Sequence, residues 1–193
     1  MKKYNPERLP GSVLMWLIVV NELLVFVGIL GAFILYQTRN SEEFIKGQAS
    51  LSLSHGVIST VSLLVAGFFA AEGIRLLHAQ KISIARIHFL LAALLGIYFL
   101  FHKWQDFAQK WSLGFDFVAN DFWQYYWLTM GFHFVHVLVG VGILFYLLVR
   151  SFPSASTSED LTVKDYESGV LFWHMCDLAW ILIFPVFYFG AQQ

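Results

Sequence analysis

The chain has 193 residues, 58% of them hydrophobic and only 13% charged, with a formal net charge of −1 and a mean hydropathy of +0.65. That composition excludes an ordinary soluble domain, whose surface needs many more polar side chains, and the charge excludes a basic nucleic-acid footprint. A single cysteine, Cys176, excludes a disulfide framework, a CxxC or zinc pattern, and a dinuclear copper centre with two bridging thiolates.

A helix needs about 20 residues to cross the hydrocarbon core. Five apolar runs meet that length, at 13–36, 55–77, 84–103, 123–149 and 168–190, and predict an all-α membrane protein. The fold expected is one membrane domain over residues 1–193, a bundle of five transmembrane helices. Lys2, Lys3 and Arg8 resemble the start of a secretory signal, but the first run is too long for one and no small-residue cleavage site follows. Ser12, after Pro10 and Gly11, is the expected N-cap of the first helix. The linker 150–167 contains Phe152-Pro153-Ser154-Ala155-Ser156-Thr157-Ser158 and reads as a flexible cytoplasmic loop. Lys2, Lys3, Arg8, Arg75, Lys81, Arg86, Arg150 and Lys164 fall on one side, and Arg39, Lys46, Lys103 and Lys110 on the other. The positive-inside rule then sets the N-terminus in the cytoplasm and the C-terminus outside. No internal repeat of the transporter kind is present.

Ionisable side chains inside these spans are the strongest functional signal, because hydrocarbon tolerates them only against a protein partner or a water-filled cavity. Glu22 stands in the first span with no Lys or Arg in the same run. It reads either as a proton-linked or partner-facing group or as a hydrogen bond between helices. His133, His136 and Gly140 share one stripe of the fourth span. Two histidines three apart suit a metal, but no third and fourth ligand is evident, and interhelical hydrogen bonds are the competing reading. Glu167, His174 and Asp177 share one side of the fifth, where a packed polar seam competes with a proton relay. His88 and His102, fourteen apart, have the spacing of a two-haem membrane cytochrome, but no facing helix carries a matching pair. Glu72 and Arg75 read as an exposed i,i+3 pair, and Lys103 with Asp106 reads the same way.

Taken together, the motifs resemble those of subunit III of the haem–copper oxidases. Met15 and Trp16 followed by Glu22, Leu95-Gly96 followed by Asp106-Phe107, Gly-Phe-His-x-x-His-Val-x-x-Gly at 131–140, and Trp-His-x-x-Asp-x-x-Trp at 173–180 occur in family order. Glu167 precedes the last motif, and Tyr188 and Gly190 fit the family ending. The chain is similar to the five-helix form, lacking two N-terminal helices of larger members. Asp106 stands where the family usually has Glu, Lys103 where Gln is common, and Met130 where Thr is common. The resemblance implies a non-redox subunit of a cytochrome c oxidase-type complex in a bacterial inner membrane, with no cofactor or metal of its own. It would pack on the catalytic subunit I, with subunit II nearby, hold phospholipid, and support oxygen reduction and proton pumping by maintaining proton and oxygen delivery. Haem and copper are expected in those partners. Glu22, Asp106, His133, His136, Glu167, His174 and Asp177 are then proton-linked or interhelical polar residues, with no catalytic residue among them. Five-helix relatives beside quinol oxidases or nitric oxide reductases, and a stand-alone haem cytochrome, are the alternatives.

Overall fold

A computed structural model describes residues 9–152 and 162–189. Lys2, Lys3, Arg8, Gly190 and most of the low-complexity linker lie outside the described residues. Six helices follow in order: α1 (Val13–Arg39), α2 (Ser41–Ala49), α3 (Leu53–His78), α4 (Ile82–Ser112), α5 (Asp121–Arg150) and α6 (Val163–Tyr188). All but α2 are long and apolar enough to cross a membrane.

Local chemistry sets the helix ends. Ser12 caps α1, its hydroxyl accepting the Met15 N–H at 3.2 Å. Asn120 caps α5 in the same way through the Trp123 N–H at 3.0 Å. A capping box opens α6, with the Asp165 carboxylate accepting the Thr162 N–H at 2.8 Å. This start makes residues 163–167 helical, where the sequence suggests a flexible loop. Likewise α4 continues nine residues past the expected end at 103, and the short α2 forms inside an expected loop. Charged residues end a hydropathy run without ending a helix, which explains all three differences.

The three-residue link between α3 and α4 makes them antiparallel neighbours, and they form the most extensive pair in the bundle. Helix α6 is the common core, packing against α1, α3 and α5, whereas the backbones of α1 and α3 stay apart. Between helices in lipid, packing and hydrogen bonds replace the hydrophobic drive, so small residues at crossings decide how closely backbones approach. The Trp173 ring of α6 fills the space left by Gly96 on α4 and Gly140 on α5. Gly169 of α6 receives Leu147 and Ile143, and Gly73 of α3 receives Phe89.

A Cβ at position 96 would lie 2.6 Å from the Trp173 ring and 2.7 Å from Val141. Gly96→Ala is therefore expected to destabilise the bundle by about 1–3 kcal/mol, the usual effect of overpacking. Thermal unfolding of the purified chain in mild detergent measures it.

Candidate functional site

The polar residues fall into three levels along the bundle. At one end, the Glu167 carboxylate accepts the Gly11 N–H at 2.9 Å and meets His78 Nε2 at 3.0 Å. It joins the chain just before α1 to the end of α3 and the start of α6. Gly11 is required here: its φ is +71°, and a Cβ would press on the Ser168 backbone. Glu167 thus stands at a helix end, two helical turns from His174 (about 10 Å at 1.5 Å per residue). It belongs to a separate clamp although it shares a side of α6 with the His174 pair.

The middle level holds three unlike contacts. Glu22 Oε2 of α1 lies 3.2 Å from His136 Nε2 of α5. His136 Nδ1 lies 2.8 Å from the Phe132 carbonyl, which can only accept, so Nδ1 carries a hydrogen. Nε2 then either accepts from a protonated Glu22 or, as imidazolium, donates to its carboxylate. Both arrangements share one proton and carry no net charge, as a site in hydrocarbon requires. His133, one turn away, instead donates Nε2–H to the Cys176 carbonyl of α6 at 3.1 Å. The two histidines of the fourth-span motif therefore serve different neighbours. His174 Nδ1 lies 3.1 Å from Asp177 Oδ2 on the same helix. Gly67 of α3 admits this pair, since a Cβ there would collide with Asp177 Oδ2. Between them the rings of Phe26, Phe99 and Trp180 surround His133, and Trp180 donates Nε1–H to Thr60 at 2.8 Å.

The opposite end corrects the sequence reading. Lys103 and Asp106 are not an exposed pair: each side chain is 2% exposed, and Lys110 joins them at 7%. Asp106 Oδ2 accepts from Lys103 Nζ at 3.0 Å and from the Tyr126 hydroxyl at 3.0 Å, while Oδ1 accepts from Lys110 Nζ. Lys103 also donates to the Tyr188 hydroxyl at 3.2 Å and lies 5.2 Å from the Trp180 ring centroid. His55 Nδ1 of α3 approaches Asp106 Oδ1 at 3.7 Å. The carboxylate thereby draws together groups of α3, α4 and α5, and α6 joins the cluster through Tyr188 and Lys103. Residues 103, 106 and 110 continue the inward stripe of Ala92, Gly96 and Phe99, which was the available signal. The Glu72–Arg75 pair is a true surface pair, with the Arg75 side chain 72% exposed.

The two-haem spacing finds no support in the geometry. The ring facing His88 from α3 is Phe69, with centroids 5.7 Å apart. His102 packs directly on His55 at 4.7 Å, leaving no room for a porphyrin between them. Among the described residues, no three His, Cys, Asp or Glu side chains converge as a metal-ligand set.

Comparison with known proteins agrees with this arrangement of motifs. Residues 11–192 match the family described as cytochrome c oxidase subunit III. A probable cytochrome c oxidase subunit 3 of Mycobacterium tuberculosis is 24% identical over 185 residues, covering 96% of this chain and 89% of that protein. A haem-copper oxidase subunit I+III of Aeropyrum pernix is 26% identical over 212 residues, covering 97% of this chain and 25% of its own length. A probable quinol oxidase subunit 3 of Staphylococcus haemolyticus is 26% identical over 132 residues, 68% of this chain and 65% of that one.

Removing Asp106 strands buried ammonium groups, so Asp106→Ala is expected to cost about 3–5 kcal/mol of stability. The triple variant Lys103→Met, Asp106→Leu, Lys110→Met removes the charges together and should recover most of that loss. Detergent-solubilised melting curves of the two variants test the contrast.

Proposed function

Because the chain belongs to the cytochrome c oxidase subunit III family, we propose that it serves as a non-redox subunit packed on the catalytic subunit I of a respiratory oxidase, with subunit II nearby. The observation that carries this reading is the whole-chain match to a relative whose name joins subunits I and III. A chain that occurs fused to subunit I in one organism is suited to stand beside it in another. Haem and copper would then reside in the partner subunits. The electron donor is cytochrome c in this reading. A quinol donor is the second reading, favoured by the staphylococcal relative.

The mid-membrane pairs suit a supporting role. Glu22 and His136 hold one proton between two helices without net charge, and can pass it between their oxygen and nitrogen with little motion. Such a pair stabilises the seam between α1 and α5, and a change in the partner's charge would shift its proton. In this reading Glu22 helps maintain proton delivery over many turnovers. The exposed apolar faces of α1, α3 and α4 hold phospholipid. The chain lies in a bacterial inner membrane with its N-terminus in the cytoplasm.

The test is a tagged full chain extracted with its partners in mild detergent. Co-elution with a haem-bearing subunit and a two-thiolate copper subunit supports the oxidase reading. A nitric oxide reductase core, or a haem spectrum with no partner, overturns it. Glu22→Gln is expected to leave the reduced-minus-oxidised spectrum of the complex unchanged and to raise its rate of inactivation per turnover. An unchanged inactivation rate removes Glu22 from the proposal.

A further inference from the structure

Helix α6 is the most buried span, yet one stripe along it stays uncovered. Leu171, His174, Leu178, Ile181 and Leu182 follow one another at helical spacing, with α1 packed on one flank and α3 on the other. The α1 and α3 backbones do not approach each other, and the residues of the stripe are half-exposed or exposed, so the stripe is the floor of an open trough. Leu178 is 50% exposed, as expected of a lipid-facing or partner-facing residue. His174 is the exception: its side chain is 39% exposed near mid-span, and only Nδ1 is paired. The buried Asp177 Oδ1 also has no hydrogen-bond partner.

Hydrocarbon fixes what the pair can present. A net charge is costly at this depth, and no Lys or Arg side chain contacts Asp177 among the described residues. Three net-neutral arrangements of the pair exist: a protonated Asp177 donating to Nδ1, an imidazolium facing a carboxylate, and Nδ1–H donating to Oδ2 of an acid whose hydrogen sits on Oδ1. The third is disfavoured, because it leaves that hydrogen on a buried Oδ1 with no acceptor. The other two leave a hydrogen on Nε2, an unused donor on the half-exposed ring. Acyl chains offer it no acceptor, and lipid ester oxygens lie at the membrane surface, roughly 15 Å from the midplane of a core about 30 Å thick. A helix lying in the trough with an oxygen at that height satisfies it.

Resting on the reading of this chain as an oxidase subunit, we propose that the α6 face between α1 and α3 docks a transmembrane helix of the haem-bearing subunit, whose side-chain or carbonyl oxygen accepts His174 Nε2–H. The leucines around His174 supply the apolar contact and the dyad fixes the height and rotation of the incoming helix. Gly67 sets the geometry from behind by letting Asp177 approach α3.

The experiment uses the intact complex. The photoreactive substitution Leu178→p-benzoylphenylalanine is irradiated in the purified oxidase and the adduct is mapped by mass spectrometry. The expected adduct joins a transmembrane segment of the haem-bearing subunit, with an oxygen-bearing side chain or an exposed carbonyl within about one helical turn, ~5.4 Å. His174→Leu should lower the share of this chain retained with haem by about threefold to tenfold. His174→Gln, which keeps an N–H donor, should restore most of it. A lipid or quinone adduct, an adduct to a second copy of this chain, or undiminished retention of His174→Leu overturns the proposal. Failure of the unsubstituted chain to co-elute with haem is a different result, and overturns the oxidase reading itself.

Discussion

Hydrocarbon offers no hydrogen-bond partner, and that constraint decides where every polar side chain of this bundle stands. Each buried ionisable group finds its answer in a neighbouring helix or in a residue one turn away. Glu22 reaches α5, His133 reaches α6, and Asp106 accepts from two lysines of its own helix and from Tyr126 of α5. The helices in turn are held at fixed rotations by these contacts, because a helix turned by one residue would place its polar group in lipid. Packing then refines what polarity selects: Trp173 seats between two glycines only when α4, α5 and α6 have their observed rotations.

The three levels differ in kind. The Asp106 end is strongly ionic and closely packed with aromatic rings, so it resembles a rivet through four helices. The middle is neutral and proton-sharing, and its contacts change little in charge whichever atom holds the hydrogen. The Glu167 end is a clamp on backbone, tying the segment before α1 to the last helix. Ionic and backbone contacts at the two ends thus bracket a middle whose hydrogens can shift between neighbouring atoms.

The sequence makes the five spans readable because long apolar runs have few other interpretations. It also makes the chemistry of Glu22, His133, His136, His174 and Asp177 conspicuous, since ionisable groups are rare in such runs. It does not reveal who meets whom. Glu22 and His136 are 114 residues apart, and His133 and His136 read as one stripe although they turn to different helices. The largest difference concerns Lys103, Asp106 and Lys110. Hydropathy treats them as the end of a span, whereas their spacing continues the inward face of α4 as a long ionic seam. Periodicity was the better guide there, and average apolarity the worse one. For Glu167 the shared face with His174 was readable, but the vertical distance and the Gly11 backbone contact were not.

Among the described helices, the α1 backbone comes close to those of α2, α5 and α6 alone. A chain inserted into a membrane in order of synthesis therefore holds α1 without its principal neighbours until the last two spans have followed. Through that interval Glu22 waits for His136 with no ring to share its proton, and α1 is a lone apolar rod carrying one polar defect. Closure of the bundle is thus a late, long-range event in biogenesis. A chain interrupted before α5 is left with an unsatisfied carboxyl in lipid, a chemical mark by which an incomplete subunit differs from a finished one.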